Sequence, residues 1–228
     1  MNKSVFMAVA MAALSSSSSF AGDALFGDSS DDSGAGAMYG GASIGKSGDT
    51  GCQANNDSID AVNAIAGSTV VKSINCKDGS AWKVFGGYKV APNLAVEGSY
   101  VNYGKTTTDG TIPAIPGINN VENAASVKAS AKSFGASGVA STPITDELSL
   151  FGKMGFASWE KTATAQVQNV GANNATISKD IKTDGVDLSL GAGAEYKIND
   201  NWGMRGEYEH VNGLNANMYS VGAVFSSF

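Results

Sequence analysis

The chain has 228 residues, with 15 basic and 21 acidic side chains giving a formal net charge of −6, and 29 glycines against four prolines and one histidine. An acidic chain of this kind is a poor candidate for nucleic-acid binding, and one histidine leaves little scope for acid–base catalysis. The glycine content favours β structure with close backbone approaches over a helical protein.

The N-terminus predicts export. Residues 1–3 are a short basic start, residues 5–14 form an apolar run, and Ser19 and Ala21 place small side chains at the two positions that a signal peptidase reads. This arrangement is typical of a secretory signal peptide, whose apolar run is too short to cross a bilayer as a helix. The predicted organisation is a signal peptide at 1–21, a flexible acidic leader at 22–36 and one β domain at 37–228.

Period-two alternation recurs eight times along the rest of the chain, which predicts eight strands. The sixth segment is the clearest, because its even positions are apolar from Val186 to Ile198 while its odd positions, beginning at Asp187, are polar or small. The predicted strands are 37–46, 80–90, 94–104, 130–141, 147–159, 185–198, 202–211 and 217–228.

The predicted connections alternate in length. Short polar turns are expected at 91–93, 142–146 and 199–201, whereas 212–216 is intermediate. The long connections at 47–79, 105–129 and 160–184 are expected to be solvated, mobile external loops. Strands of about ten residues with short turns at one end and long loops at the other are typical of outer-membrane barrels.

The composition of the polar face indicates which face points outward. That face is dominated by glycine and serine with a few charges, which suits the crowded interior of an eight-stranded barrel. A solvent-facing surface would carry far more lysine and glutamate. We therefore predict an all-β, eight-stranded antiparallel up-and-down transmembrane β-barrel with its apolar face outward. A soluble, exported lipocalin-like binding barrel is a further alternative, since it also has eight strands.

Aromatic residues fall near the ends of the predicted strands, which is typical of the two belts of a membrane barrel. The alternative is that they fill the edges of a sandwich core. The predicted belt residues are Tyr88, Tyr196, Trp202 and Phe225 toward the short turns, and Trp82, Tyr100, Trp159, Tyr208 and Tyr219 toward the long loops.

The two cysteines of this exported chain, Cys52 and Cys76, lie in one polar, non-periodic segment. In an oxidising compartment the expected state is one disulfide, here within the first external loop. A cysteine pair with no histidine nearby is a weak metal site, and no metal or cofactor is expected.

Four segments carry a family resemblance. Residues 85–100, 143–155, 193–198 and 205–209 resemble hairpins of the OmpA-like transmembrane barrel, and the resemblance spans 37–228. It covers the transmembrane domain only, so the cell-wall anchoring supplied by that family's periplasmic peptidoglycan-binding domain is not implied. The sequence departs from the family at Val139, where a lysine usually faces the lumen, and at the terminal Phe228, which is out of phase with the outward residues of its strand.

Several charged residues have lumen-facing parity, and buried charges persist only when they are paired. The resemblance implies a salt-bridge cluster that closes the lumen and can exchange partners to open it. Without a lysine at Val139, the cluster would hold three carboxylates against two cations unless Lys83 or Lys89 contributes. A satisfied polar core is the structural alternative to a gate. The predicted members are Glu97, Lys153, Glu195, Arg205 and Glu207.

The single histidine, His210, is expected on the outward face near an external strand end, where an outward serine such as Ser158 is an example of a partner for a lipid-modifying site. A belt histidine is the favoured interpretation, and the chain is not expected to be an enzyme. We predict a monomeric outer-membrane barrel that presents its loops to an extracellular or host ligand and contacts outer-membrane lipid. Its predicted role is envelope integrity, surface interaction or adhesion. A narrow gated channel is an added possibility, and a lipid-modifying barrel enzyme is the alternative.

Overall fold

The computed structural model describes residues 36–48, 75–76, 79–112, 123–170 and 175–227. Within those ranges the regular structure consists of antiparallel strands. The strands are β1 (Met38–Gly48), β2 (Asn75–Cys76), β3 (Ser80–Ala91), β4 (Leu94–Ile112), β5 (Asn123–Pro143), β6 (Leu148–Val170), β7 (Ala175–Lys197), β8 (Trp202–Val211) and β9 (Ala216–Ser227).

Eight of these strands close into a barrel. Each long strand pairs antiparallel with the next, and β1 closes the cylinder by pairing with β9 from Met38↔Ser227 to Gly48↔Asn217. The two-residue strand β2 pairs only with β4, opposite Thr108 and Asp109. The predicted eight-stranded antiparallel up-and-down barrel is confirmed. No described helix has the length and apolar character needed to cross a bilayer.

Three short turns join the strands at one end of the barrel, the end that also carries the start of β1 and the end of β9. The predicted turns are found at 92–93, 144–147 and 198–201. Two are fixed by side chains: Thr145 Oγ1 accepts the amide of Leu148 at 3.0 Å, and Asn199 Oδ1 accepts the amide of Trp202 at 2.9 Å. Such side-chain-to-backbone bonds are a usual role of Thr and Asn in turns.

At the opposite end, β4, β5, β6 and β7 are 19, 21, 23 and 23 residues long. A membrane strand needs about 9–11 residues. The prediction that loops rather than strands occupy 105–129 and 160–184 is therefore wrong for most of that length, because strands run to Ile112 and Val170 and resume at Asn123 and Ala175. We call the described parts of these two regions, residues 105–112, 123–129, 160–170 and 175–184, the extracellular extension.

The apolar face points outward. On β6, Met154 is 63 % exposed, while Phe151 on the other face is 7 % exposed. The same rule makes Val186, Val221 and Ile44 exposed, so the outside of the barrel is an apolar band around a side-chain-filled interior. Exposed apolar side chains on this scale suit contact with lipid.

Most of the predicted belt residues lie on the outward face, but Trp159 does not. Trp82 and Tyr219 are exposed at one end of the band, and Tyr196, Trp202 and Phe225 are exposed toward the short turns. Tyr208 is also exposed, and Tyr88 and Tyr100 are half-buried.

Trp159 is buried inside the barrel, and its Nε1 donates to Asp187 Oδ2 at 2.7 Å. Its assignment to the belt is wrong because it shares strand parity with the inward Lys153. On a strand, side chains two residues apart point the same way. Strand parity predicts whether a side chain faces the lumen or the lipid, whereas nearness to a strand end does not.

Candidate functional site

A layer of six charged side chains crosses the lumen. Its members come from β3, β4, β6 and β8, and all have side-chain exposures of 5 % or less. We call this set the charge layer. It consists of Lys83, Glu97, Lys153, Arg205, Glu207 and Glu209.

The two lysines of the charge layer share the same carboxylates. Lys83 Nζ lies 2.7 Å from Glu207 Oε1 and 2.8 Å from Glu209 Oε2. Lys153 Nζ contacts the same two oxygens. Both ammonium groups also lie 3.8 Å from Glu97 Oε1. Each lysine therefore has more than one carboxylate within reach.

The arginine of the layer is held by charge and by aromatic rings. Arg205 Nη1 donates to Glu97 Oε2 at 2.7 Å, and Arg205 Nε lies 3.2 Å from Glu207 Oε2. Its guanidinium carbon lies 4.5 Å from the centre of the Phe85 ring and 4.0 Å from the centre of the Phe151 ring. A guanidinium between two ring faces gains cation–π attraction without water.

Three cations face three carboxylates, so the charge layer is formally neutral. Tyr39 adds a hydroxyl donor, bonding Glu97 Oε2 at 3.1 Å. Four buried polar atoms have no hydrogen-bond partner among the described residues: Ser43 Oγ, Glu97 Oε1, Arg205 Nε and Arg205 Nη2. The ions are paired, but the hydrogen bonding is incomplete, and this is costly at low dielectric.

Sequence parity assigned four of the six members to the lumen. Glu195 is also lumen-facing and stands opposite Arg205 in the β7–β8 register, but it is half-buried and no described ion pair joins it to the layer. The members omitted from the predicted list are Lys83 and Glu209. Glu209 could have been found, because it lies two residues from Glu207 on the same face of β8.

The excess of carboxylates was expected unless Lys83 or Lys89 contributes a charge, and Lys83 does contribute. Lys83 supplies the third cation, and Glu209 takes the place expected for Glu195. Val139 is buried in the lumen opposite Lys153 in the β5–β6 register. Because Val139 carries no charge, it does not change the balance of three cations and three carboxylates in the charge layer.

A second, apolar layer lies between the charge layer and the extracellular end. On β8 the inward series runs Arg205, Glu207, Glu209 and then Val211, so the lumen changes from charged to apolar toward the outside. The β8–β9 turn contributes the buried Leu214. The principal members of this apolar layer are Val101, Tyr103, Trp159, Val211, Leu214 and Met218.

The β8–β9 turn packs tightly against the barrel wall. A Cβ built on Gly213 would lie 1.8 Å from Asp187 Oδ2, the oxygen that accepts the Trp159 indole hydrogen. Glycine at this point lets the turn approach the Trp159–Asp187 pair closely. The turn thus lies at the outer end of a lumen filled by side chains.

His210 does not assemble a catalytic group. Its Nδ1 lies 2.7 Å from Asn217 Oδ1 and its Nε2 lies 3.1 Å from Asn212 Oδ1. The register places His210 opposite Leu190, and Leu190 opposite Met154, which is four residues from Ser158 on β6. Two strand spacings and four residues separate the two side chains by roughly 15 Å. The histidine–serine pair is not formed.

The described residues do not test the predicted disulfide between Cys52 and Cys76. Cys52 lies outside the described residues, and Cys76 lies in β2 opposite Thr108. The disulfide therefore stays a prediction, as do the signal peptide, the acidic leader and the phase of Phe228, which also fall outside the described ranges. Among the described residues, no group of three or more His, Cys, Asp or Glu side chains is arranged to hold a metal ion.

A closed antiparallel barrel with an apolar outer band and a charged interior is the architecture of an integral outer-membrane protein. The family comparison agrees with that class. The chain belongs to the OmpA-like transmembrane domain family, whose model matches residues 33–223. It is a protein of the cell outer membrane.

Solved structures with a similar fold share little sequence with this chain. Ail of Yersinia pestis, in complex with the heparin analogue sucrose octasulfate, is 16 % identical, with 85 % of this chain and 99 % of that chain covered and a TM-score of 0.44. The N-terminal barrel of Pseudomonas aeruginosa OprF is 11 % identical, with 85 % and 99 % covered and a TM-score of 0.43. OprG of Pseudomonas aeruginosa is 12 % identical, with 85 % and 96 % covered and a TM-score of 0.42. A comparison with curated proteins found no match.

Proposed function

We propose that this protein is a non-enzymatic outer-membrane barrel whose extracellular extension is a surface for interaction with extracellular partners. The extension carries the proposal. Four neighbouring strands continue well past the roughly ten residues that a membrane crossing needs, whereas β8 and β9 end in a short turn. An ordered sheet beyond the membrane exceeds what anchoring requires.

The surface of the extension is suited to contact with water-soluble partners. Its outward side chains alternate hydroxyls with charges, as in the register row Lys128↔Thr164↔Asp180. The charged side chains on β7, such as Lys182 and Asp184, also discourage nonspecific strand addition at the free edge. This pattern keeps a sheet edge soluble while leaving polar groups available to a partner.

The filled lumen supports a structural role for the barrel. The neutral charge layer and the apolar layer above it leave the interior occupied by side chains along its length. A partner bound to the extension would thus be held by a stable, membrane-anchored base. This is how we interpret the envelope-integrity and adhesion functions predicted from the sequence.

The test is a barrel without the extension. One variant would lack residues 106–129 and 163–181, with Lys105 joined to Ser130 and Thr162 joined to Lys182 through Asn-Gly turns, which suit two-residue hairpins. Cells carrying the wild type, the variant or neither would be compared for attachment to cultured epithelial cells. Heat-modifiable gel migration would verify that the variant is folded in the outer membrane.

We expect the wild type to raise attachment and the variant to return it to the level of cells without the protein. Equal attachment of the wild type and the variant would reject the extension as an interaction surface. Detergent sensitivity of the same cells separates the two roles, because an envelope function requires the barrel but not the extension.

A narrow gated channel is the second candidate, favoured by the shared contacts of Lys83 and Lys153 with Glu207 and Glu209. Partner exchange among these ions could open the charge layer, but the apolar layer would also have to move. If a gate exists, the Glu97→Ala/Arg205→Ala double variant should raise single-channel conductance in planar bilayers above a low wild-type value. A purely structural layer predicts loss of stability with unchanged conductance.

A further inference from the structure

A cluster of three exposed lysines lies on the outer face where the barrel leaves the membrane. Lys46 is on β1, Lys105 on β4 and Lys132 on β5. β4 and β5 are neighbouring strands, and β3 lies between β1 and β4. We call this set the basic sector.

Aromatic rings lie directly below the basic sector. Trp82 and Tyr100 have ring centroids 5.2 Å apart, and Tyr100 and Phe134 have centroids 4.6 Å apart. Trp82 is 43 % exposed and Phe134 is 47 % exposed. Aromatic rings on the outer face mark the membrane–water interface.

The register fixes the height of the lysines relative to these rings. Lys132 is two residues farther out than Phe134 on the same face of β5. Lys46 stands opposite Ser80, which is two residues farther out than Trp82. Two residues correspond to about 7 Å along a strand, so Lys46 and Lys132 lie at the depth of lipid headgroups.

The position of Lys105 depends on a local irregularity in β4. Regular alternation after the buried Val101 and Tyr103 would point Lys105 inward, yet Lys105 is exposed and Thr106 is buried. The β4–β5 register shifts between Asn102 and Lys105, and Gly104 has φ of +78°. Bulges of this kind redirect side chains.

Only glycine fits at the centre of this irregularity. A Cβ on Gly104 would lie 2.3 Å from the carbonyl oxygen of Ser80, and positive φ disfavours any other residue. Lys105 thereby faces outward opposite Ser130, diagonal to Lys132. Diagonal neighbours across a strand pair lie about 7–8 Å apart, so like charges are brought together.

Few acidic groups offset this charge. Lys132 Nζ lies 3.4 Å from Glu160 Oε1 in an exposed pair. No ion pair between described residues involves Lys46 or Lys105. Next to Lys132, Glu160 on β6 stands opposite Asp184 on β7, where Lys182 lies between Asp180 and Asp184. The positive charge is therefore concentrated on one side of the barrel.

The geometry points to a binding site for a phosphorylated glycolipid of the lipid A class in the outer leaflet. The phosphates would contact the ammonium groups of the basic sector, and the upper parts of the acyl chains would pack on Trp82, Tyr100 and Phe134. A soluble polyanion would use the lysines without the rings. The rings immediately below favour an amphiphile, and lysines at the headgroup level attract anionic lipid.

The test uses paired charge removals in the full-length protein, folded in non-ionic detergent. K46Q/K105Q removes two charges from the basic sector, and K179Q/K182Q removes two charges from β7 as the control. Titration with fluorescent bisphosphorylated lipid A should show affinity reduced about 10- to 30-fold for the first pair and within about twofold of wild type for the control. Wild-type protein should bind dephosphorylated lipid A about as weakly as K46Q/K105Q binds the phosphorylated form.

Equal losses in the two double variants, or no loss in either, would overturn the site. Two further results together would also overturn it. In the first, tripolyphosphate displaces labelled lipid A as effectively, per phosphate, as unlabelled lipid A does. In the second, F134A leaves the affinity for lipid A unchanged. That outcome would indicate a surface for soluble polyanions. Heat-modifiable migration checks folding of every variant. The basic sector lies at the membrane boundary and outside the residues deleted from the extension, so lipid binding and partner attachment can fail independently.

Discussion

The membrane part of β6 and its extracellular part follow one strand geometry with different residues. In the membrane, Leu150, Met154 and Phe156 point outward while Lys153 points into the lumen. Farther out, the alternation is between hydroxyls such as Thr162 and the buried Ala163. Lipid demands large apolar side chains on the outer face, whereas water on the same face accepts threonine. The contrast between faces therefore weakens where the solvent changes, although the hydrogen-bonded ladder continues.

The largest loss of stability is expected in the charge layer, to which the membrane part of β6 contributes Lys153. Each ion there is buried and therefore depends on its partners. Arg205→Ala should leave Glu97 without its 2.7 Å partner and should cost about 3–5 kcal/mol of unfolding free energy. The Glu97→Ala/Arg205→Ala double variant should lose less than the single variant. The unfolding free energies of both variants can be measured by urea titration in lipid or detergent, with heat-modifiable gel migration as the readout of the folded fraction. Additive effects would show that the two side chains do not stabilise each other.

The next largest difference in stability is expected between an alanine placed at a glycine that faces the lumen and one placed at a glycine that faces outward. A Cβ on Gly193, which faces the lumen, would lie 2.2 Å from the Gly206 carbonyl oxygen and 2.5 Å from the Phe151 ring. A Cβ on the outward Gly206 would meet nothing within 4 Å. We expect Gly193→Ala to cost about 1–3 kcal/mol by overpacking, and Gly206→Ala to be neutral or stabilising. Similar unfolding midpoints for the two variants would contradict this assignment of faces.

The two tryptophans compare the same residue inside and outside the barrel. Trp159→Phe removes the indole donor to Asp187 and should cost about 1–2 kcal/mol. Trp82→Phe keeps an aromatic ring at the membrane boundary, so a change of about 0.5 kcal/mol or less is expected. Chemical unfolding of both variants is the measurement, and an equal or larger loss for Trp82→Phe would place the important indole at the belt.

Removing the outer part of β6 and β7 should affect the barrel less. A variant lacking residues 163–181 keeps the ladder from Thr162↔Lys182 inward. We expect its unfolding free energy to change by about 1 kcal/mol or less, since independent structural units open separately. Hydrogen exchange should be faster at 175–184 than at 186–196 in the wild type. Loss of folded barrel in the variant would mean that the extension and the membrane part form one cooperative unit.

The smallest effect on the barrel is expected from the cysteines. Cys52→Ser/Cys76→Ser should loosen only the segment between the two residues. The unfolding free energy of the barrel should stay within about 0.5 kcal/mol of the wild-type value. In the wild-type protein purified without reductant, thiol labelling should find no free cysteine. Labelling of two thiols per chain would disprove the predicted disulfide.

By itself, the sequence determined the barrel, because eight alternating segments and short polar turns have few other closed solutions. It also identified the lumen parity of Glu97, Lys153, Arg205 and Glu207, since side chains two apart on a strand share a face. The same parity rule applied strictly would have moved Trp159 into the lumen and added Glu209 to the charge layer.

Tertiary structure alone decided which lumen residues meet. Lys83 reaches Glu209 because height along the barrel depends on strand register, which is not encoded in the period of any one strand. Glu195 stands opposite Arg205 in the register, yet no ion pair between described residues joins it to the charge layer. The outward position of Lys105 likewise depends on a shift between β4 and β5 around Gly104. The extension was missed because alanine and threonine differ too little in hydrophobicity to mark two faces, while backbone hydrogen bonds between neighbouring strands are indifferent to that contrast.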